Sequence, residues 1–160
     1  MKKNIFYVVL SFFSVFVSDA FSQKITNKTI IGVWQVSTPK TGSALLANYN
    51  FFSNGKFIYK FDGYDDRTRI LSVEGTYKLL GNRLYLYIQS RTEIIGGSLV
   101  QGAMGFQKEE LVLEGGKSIK VPQTSKEPVE ITIEKCKASG AIECMKLQNN
   151  TYYRVSKVPE

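Results

Sequence analysis

The chain contains no histidine. That absence removes Ser-His-Asp triads, Cys-His dyads and most zinc sites, all of which need imidazole as base or ligand. Cysteine is nearly absent too, with only Cys136 and Cys144. An even count in an oxidising compartment points to one disulfide, because a redox or metal pair would want further ligands. Tryptophan occurs once, at Trp34. Long helical periodicity, fixed-period repeats, low-complexity tracts and linkers are all missing. A helical bundle, a solenoid and a two-domain chain are therefore poor descriptions of it.

Fragments of catalytic motifs occur without their essential parts. Gly96-Gly97-Ser98-Leu99-Val100 lacks the last glycine of a nucleophile elbow. Gly116-Lys117-Ser118 ends like a P-loop, but Leu111 stands where the first glycine belongs and strands flank both sides. Asp62-Gly63-Tyr64-Asp65-Asp66 lacks the alternate spacing and distal Glu of a calcium loop, so it reads as a solvated turn. The expectation is no catalytic residues, no metal and no cofactor.

What is present begins with an export pattern. Lys2 and Lys3 precede an apolar run from Ile5 to Val17, and Ala20-Phe21-Ser22 supplies small residues for cleavage. The run is short for a membrane span. Residues 1–22 are read as a cleavable signal peptide and 23–160 as one domain, secreted or periplasmic. The residue after the cut is not cysteine, so the lipoprotein route is not expected. The chain carries +7 formally. Removing Lys2, Lys3 and Asp19 with the signal leaves about +6, which favours anionic partners such as acidic lipids or sugars at a membrane surface. Nucleic acid is not an expected partner of an exported chain.

The rest is a series of β-rich runs punctuated by turn residues. Tyr49 to Phe61 reads as a hairpin. A Ser53-Asn54-Gly55 loop with left-handed Gly55 pairs Phe51 with Phe57 and places Tyr49, Phe51, Phe57, Tyr59 and Phe61 on one face. Asn50, Lys56 and Lys60 then face away. Val73 to Ile88 reads as a second hairpin, turning at Gly81-Asn82. It pairs Leu79 with Leu84 and Tyr77 with Leu86, and buries Val73, Tyr77, Leu79, Leu84, Leu86 and Ile88. A third, from Ile131 to Gln148, pairs Ile133 with Leu147 and Glu134 with Lys146, and sets Cys136 opposite Cys144 on the polar face. Further strands fit Glu110 to Leu113, Ser118 to Val121 and Thr151 to Val155. The result is an all-β chain of about eight to ten antiparallel strands. Closing into an up-and-down barrel is the best way for so many strands to hide their edges.

Four short motifs then resemble the bacterial lipocalin-like domain family. Gly32-Val33-Trp34 resembles the Gly-x-Trp of lipocalins. Phe51 to Phe57 is similar to their Phe-x-x-Asp-Gly-x-Phe hairpin, with Asn54 where Asp is usual. Gly75-Thr76-Tyr77 with Gly81-Asn82-Arg83-Leu84 resembles their Gly-Thr-Tyr hairpin, and Tyr152-Tyr153-Arg154-Val155 their closing strand. The likeness covers about residues 30 to 156. It implies a barrel open at one end and plugged at the other, with Gly32, Trp34 and Arg154 forming its base, the guanidinium lying over the indole.

A barrel this wide holds either packed side chains or one small ligand. In the first expectation Tyr49, Phe51, Phe57, Tyr59, Phe61, Tyr77, Leu84, Leu86 and Ile88 line a cavity for a small hydrophobic or amphipathic molecule. In the alternative the same rings fill the barrel, and an outer face with Lys78, Arg83, Tyr85 and Tyr87 makes a non-catalytic contact in the envelope or outside the cell. The glycine-broken run from Ile94 to Gly105 reads either as a bulged strand with a turn or as a flap over the mouth.

Overall fold

The computed structural model describes residues 25–36, 43, 45–63, 69–101, 111–123, 127–136 and 143–159. The expected signal peptide, residues 64–66 of the acidic stretch and residues 102–105 of the glycine-broken run lie outside them. Among the described residues eleven strands occur: β1 (Gly32–Val36), β2 (Asn48–Phe51), β3 (Lys56–Lys60), β4 (Ile70–Leu80), β5 (Arg83–Ile95), β6 (Ser98–Gln101), β7 (Leu111–Glu114), β8 (Lys117–Pro122), β9 (Val129–Lys135), β10 (Cys144–Leu147) and β11 (Asn150–Ser156).

Eight of these close a barrel. The order runs β4-β3-β2-β1-β11-β10-β9-β5, and β5 returns to pair with β4. Every pairing is antiparallel, and the strands follow the chain apart from the excursion between β5 and β9. The all-β barrel expected from the sequence is therefore present.

The hairpin registers follow from their turns. Gly55 takes φ +78°, and the Phe52 N–H donates to the Lys56 carbonyl at 2.9 Å. That three-residue loop sets Phe51 opposite Phe57. Gly81 takes φ +64° and sets Leu79 opposite Leu84. Ile133 faces Leu147, and Glu134 faces Lys146.

The inward faces meet in one cluster that includes Trp34, Phe51, Phe57, Leu84, Leu86, Ile133, Met145 and Tyr152. The rings touch one another. Tyr49 stacks on Phe51 at 5.4 Å, and Phe51 meets Tyr77 edge-on at 5.0 Å. Phe51 and Phe57 are fully buried, and burial of such a side chain is worth about 1.5–3 kcal/mol.

Two positions differ from the sequence reading. Asn50, expected on a solvated face, is 1% exposed, and Gln35 and Asn48 beside it are also buried. The cause is the connection after β1, which folds back over this outer face. The Ser43 N–H donates to Gln35 Oε1 at 2.7 Å, and Asn48 Nδ2 donates to the Leu46 carbonyl at 3.0 Å. Cys144, also placed on a polar face, is 4% exposed. It is tied to Cys136 with a Cα–Cα distance of 5.5 Å and lies where strand ends crowd the barrel base.

Beyond the barrel stands an extension. On one edge, β5 pairs with β9 over Arg83–Leu86 and then with β8 over Ser90–Ile95. The handover coincides with a bulge in the β4–β5 ladder, where Glu74 faces Ser90 but Gly75 faces Ile88. Gly75 is required there, because a Cβ would overlap the Tyr87 carbonyl. Past β5 and β8 the hairpin continues as β6 and β7. Gly96-Gly97 and Gly115-Gly116 meet at the junction, all four with φ between +71° and +89°. The described part of the glycine-broken run, Ile94 to Gln101, is therefore strand on both sides of a double-glycine corner, paired first with β8 and then with β7.

Candidate functional site

The barrel has two chemically distinct ends. At the lower end lie the β2–β3 and β4–β5 turns, the disulfide-bridged β9–β10 connection and the turn before β1. At the upper end the chain leaves through the β1–β2 and β3–β4 connections and the β6–β8 excursion.

The lower end is closed by local chemistry. Thr26 and Thr29 exchange backbone-to-hydroxyl hydrogen bonds, at 2.7 and 3.2 Å, and so form a tight turn. The turn delivers Ile30, which is fully buried beneath the barrel. The Ile30 carbonyl accepts from Trp34 Nε1 at 2.6 Å and fixes the indole. Arg154 is directly opposite Trp34 in the ladder, and its guanidinium lies 4.4 Å from the ring centroid. Such a contact is worth about 0.5–2 kcal/mol, more as it is desolvated.

Arg154 is held from two further sides. Nη2 donates to the Thr29 carbonyl, and Nε lies 2.8 Å from Glu143 Oε2 without its N–H aimed at that oxygen. Burial pulls the guanidinium below its ordinary pKa, and Glu143 opposes that shift. Gly32 permits the geometry. At φ +126° it lets β1 pass so close to β11 that a Cβ would strike the Ser156 carbonyl.

At the upper end, Tyr49 and Tyr59 face each other across β2–β3, with ring centroids 4.4 Å apart. Tyr152 approaches Tyr49 at 5.4 Å, and Phe61 adjoins Tyr59 at 4.9 Å. Burial pushes Tyr49 and Tyr152 well above the usual phenol range, and the neighbouring phenols add to the shift. Burial also raises Tyr59, partly offset by the neighbouring Tyr152 hydroxyl. These phenols stay neutral, with their rings in or against the apolar cluster.

The extension continues one wall of this end. Alternation along β4 and β5, with the bulge counted, puts Val73 and Arg91 on the same face as the barrel interior. Arg91 Nε donates to Glu93 Oε2 at 2.6 Å. On the opposite face Glu74 accepts from Ser90 Oγ at 2.8 Å and pairs with Lys120.

The sequence-derived cavity residues fall as follows. Tyr49, Phe51, Phe57, Tyr77, Leu84 and Leu86 are buried in the central cluster, and Tyr59 and Ile88 pack against it partly buried. Phe61 reaches them only through Tyr59. Tyr152 enters the sequence reading only within the closing-strand motif and not as a cavity residue, and Arg91 and Glu93 do not enter it. Counting alternate positions back from Arg154 would have found Tyr152. The ion pair on the extension depends on a bulge whose sequence sign is Gly75 inside a strand.

Compared with protein-family models, with curated proteins and with solved structures, the chain matches none. Its class is therefore defined by its strands alone, as a closed eight-stranded antiparallel β-barrel.

Proposed function

We propose that this is an exported, non-catalytic, lipocalin-like protein that binds a small hydrophobic or amphipathic molecule through the upper end of its barrel. The observation that carries this reading is the tyrosine group at that end. A core meant only to be filled gains nothing from the phenol oxygens of Tyr49, Tyr59 and Tyr152, whose desolvation is costly unless partnered. Placed over an apolar floor, they suit a ligand with an apolar body and a carboxyl or hydroxyl head. The Phe51, Phe57 and Tyr77 rings fill the lower interior, so the ligand sits high rather than deep. Plugging of the lower end by Ile30, Trp34 and Arg154 supports the lipocalin-like reading.

The test is native mass spectrometry of protein purified from its own host, followed by titration with a fluorescent fatty-acid analogue. A co-purifying amphipath is expected, together with saturable binding weakened by Tyr59→Phe through loss of a hydrogen bond worth about 1–3 kcal/mol. Absence of both a co-purifying molecule and saturable binding would sink the proposal.

A second reading, a protein-contact module, is favoured by Ile70, Leu71, Ile95 and Leu99, which are exposed on the extension. The outer face of β4–β5 is a weaker contact surface than these. Lys78 lies 5.6 Å from the Tyr87 ring centroid, and Arg83 pairs with Glu130, so both cations are already engaged.

A further inference from the structure

The geometry points to a second ligand site at the lower end of the barrel, shaped for a small organic anion with a phosphate or carboxylate head and a compact apolar body. It is independent of the upper-end reading and lies at the opposite end of the barrel.

A cavity of about 270 Å³ opens beneath the barrel. Its floor is apolar, made by Trp34, Met145, Ile25 and Cys144. Its rim is cationic: Lys28 comes from the turn before β1, Lys135 from the end of β9, and Arg154 and Lys157 from β11 and its continuation. Among the described lining residues Glu143 is the one carboxylate, so the formal charges of these five groups sum to +3. Three other cations of the described surface each sit against a single acid, in Arg83–Glu130, Arg91–Glu93 and Lys120–Glu74, and within the lining Glu143 is paired with Arg154. Bringing four cations to one small opening costs Coulomb energy that an anion would recover, and an apolar floor lowers the local dielectric and strengthens the attraction.

The site is preorganised by four separate devices. The reciprocal Thr26–Thr29 hydrogen bonds hold Lys28 on a fixed turn. The Cys136–Cys144 bridge pins the connection that carries Lys135 and Glu143. The close approach allowed by Gly32 brings Ser156, and with it Lys157, over β1. The Ile30 carbonyl orients Trp34. Together they keep an opening with a charged rim and a flat aromatic floor. The volume admits a head group and roughly one ring or a short chain, below the range of about 300–1,000 Å³ usual for drug-sized ligands.

The chain's single tryptophan lines this floor, so its fluorescence reports the site directly. Phenyl phosphate, inorganic phosphate and neutral benzyl alcohol are titrated against the whole folded protein, and vesicles of neutral lipid with or without phosphatidylglycerol are tested by co-sedimentation. Saturable quenching by phenyl phosphate is expected, stronger than by either half-molecule. The double variant Lys28→Gln, Lys157→Gln should weaken it by about tenfold, a difference of about 1.4 kcal/mol. The control Lys117→Gln, Lys120→Gln, on the extension, should leave it unchanged. Binding of phenyl phosphate alone identifies a free small anion, and binding of the phosphatidylglycerol vesicles alone identifies a lipid head group; either supports the site. No response in either arm, equal binding of inorganic and phenyl phosphate, or indifference to the Lys28 and Lys157 changes would overturn it. Binding of a fatty-acid analogue at the upper end that survives the double variant separates failure of this site from failure of the other.

Discussion

The barrel and the extension are made of the same kind of strand, and they are stabilised differently. In the barrel one face of every strand meets the others, so Trp34, Phe51, Phe57 and Leu84 leave water almost completely. In the extension β4, β5 and β8 form a sheet with no second layer among the described residues. Its stability comes from ladder hydrogen bonds and from exposed or part-exposed pairs such as Lys120–Glu74 and Arg91–Glu93, each worth little. The difference arises at one place, where β5 hands its edge from β9 to β8 and Gly75 permits the bulge. Closure requires a continuous buried face, and the chain beyond that bulge no longer supplies one.

The largest expected effect lies in the barrel. Trp34→Ala removes the floor beneath Arg154 and should cost about 3–5 kcal/mol in a denaturant melt. Leu99→Ala on the extension should fall within about 0.5 kcal/mol of the parent, as exposed changes do. Equal losses at the two positions would erase the contrast drawn here.

Alkaline titration sharpens the contrast next. The buried phenols of Tyr49 and Tyr152 hold their protons more tightly in the folded barrel than in the open chain, where the ordinary value is 10.0. Their stabilising contribution is fully present below that value and is lost as the pH rises above it towards the folded pKa. Ultraviolet absorbance and circular dichroism followed together should show these phenols ionising only as the barrel unfolds. Early ionisation with the barrel intact would contradict their burial.

The most local effect belongs to the glycine corner. Gly97→Ala puts a Cβ at φ +71°, 2.8 Å from the Glu114 carbonyl oxygen. The left-handed strain costs about 1–2 kcal/mol. It should appear as faster hydrogen exchange in β6 and β7, with exchange in β1, β2 and β11 unchanged. Loss of protection throughout the barrel would show that the extension is not a separate unit.

Much of the barrel was legible because its local signals agree. Phe51 and Phe57 flank a turn that only one register satisfies without mixing faces, and Ile133 with Leu147 obeys the same logic. What stayed hidden depends on distant segments. Asn48 and Asn50 alternate correctly to the outside, yet a connection returning through Ser43 and Leu46 covers that outside. The cationic rim of the lower cavity draws Lys28, Lys135 and Lys157 from three regions, and in sequence each looks like a solvated lysine. The handover on β5 could not be read either, because a thirteen-residue strand does not declare how many partners it has.

The pairing of β1 with β11 also has a consequence in time. Val33 meets Ser156 and Trp34 meets Arg154, so the contact that closes the ring joins residues more than a hundred positions apart. Loop-closure entropy for that step must be met before any of its contacts can repay it, which places such a topology among the slow folders, in the range of milliseconds to seconds. During synthesis every earlier hairpin can form, but the ring cannot close until the last strand has emerged. Until then β1 and β10 present bare edges, and the chain's exposure to misassociation is set by the arrival of its final strand.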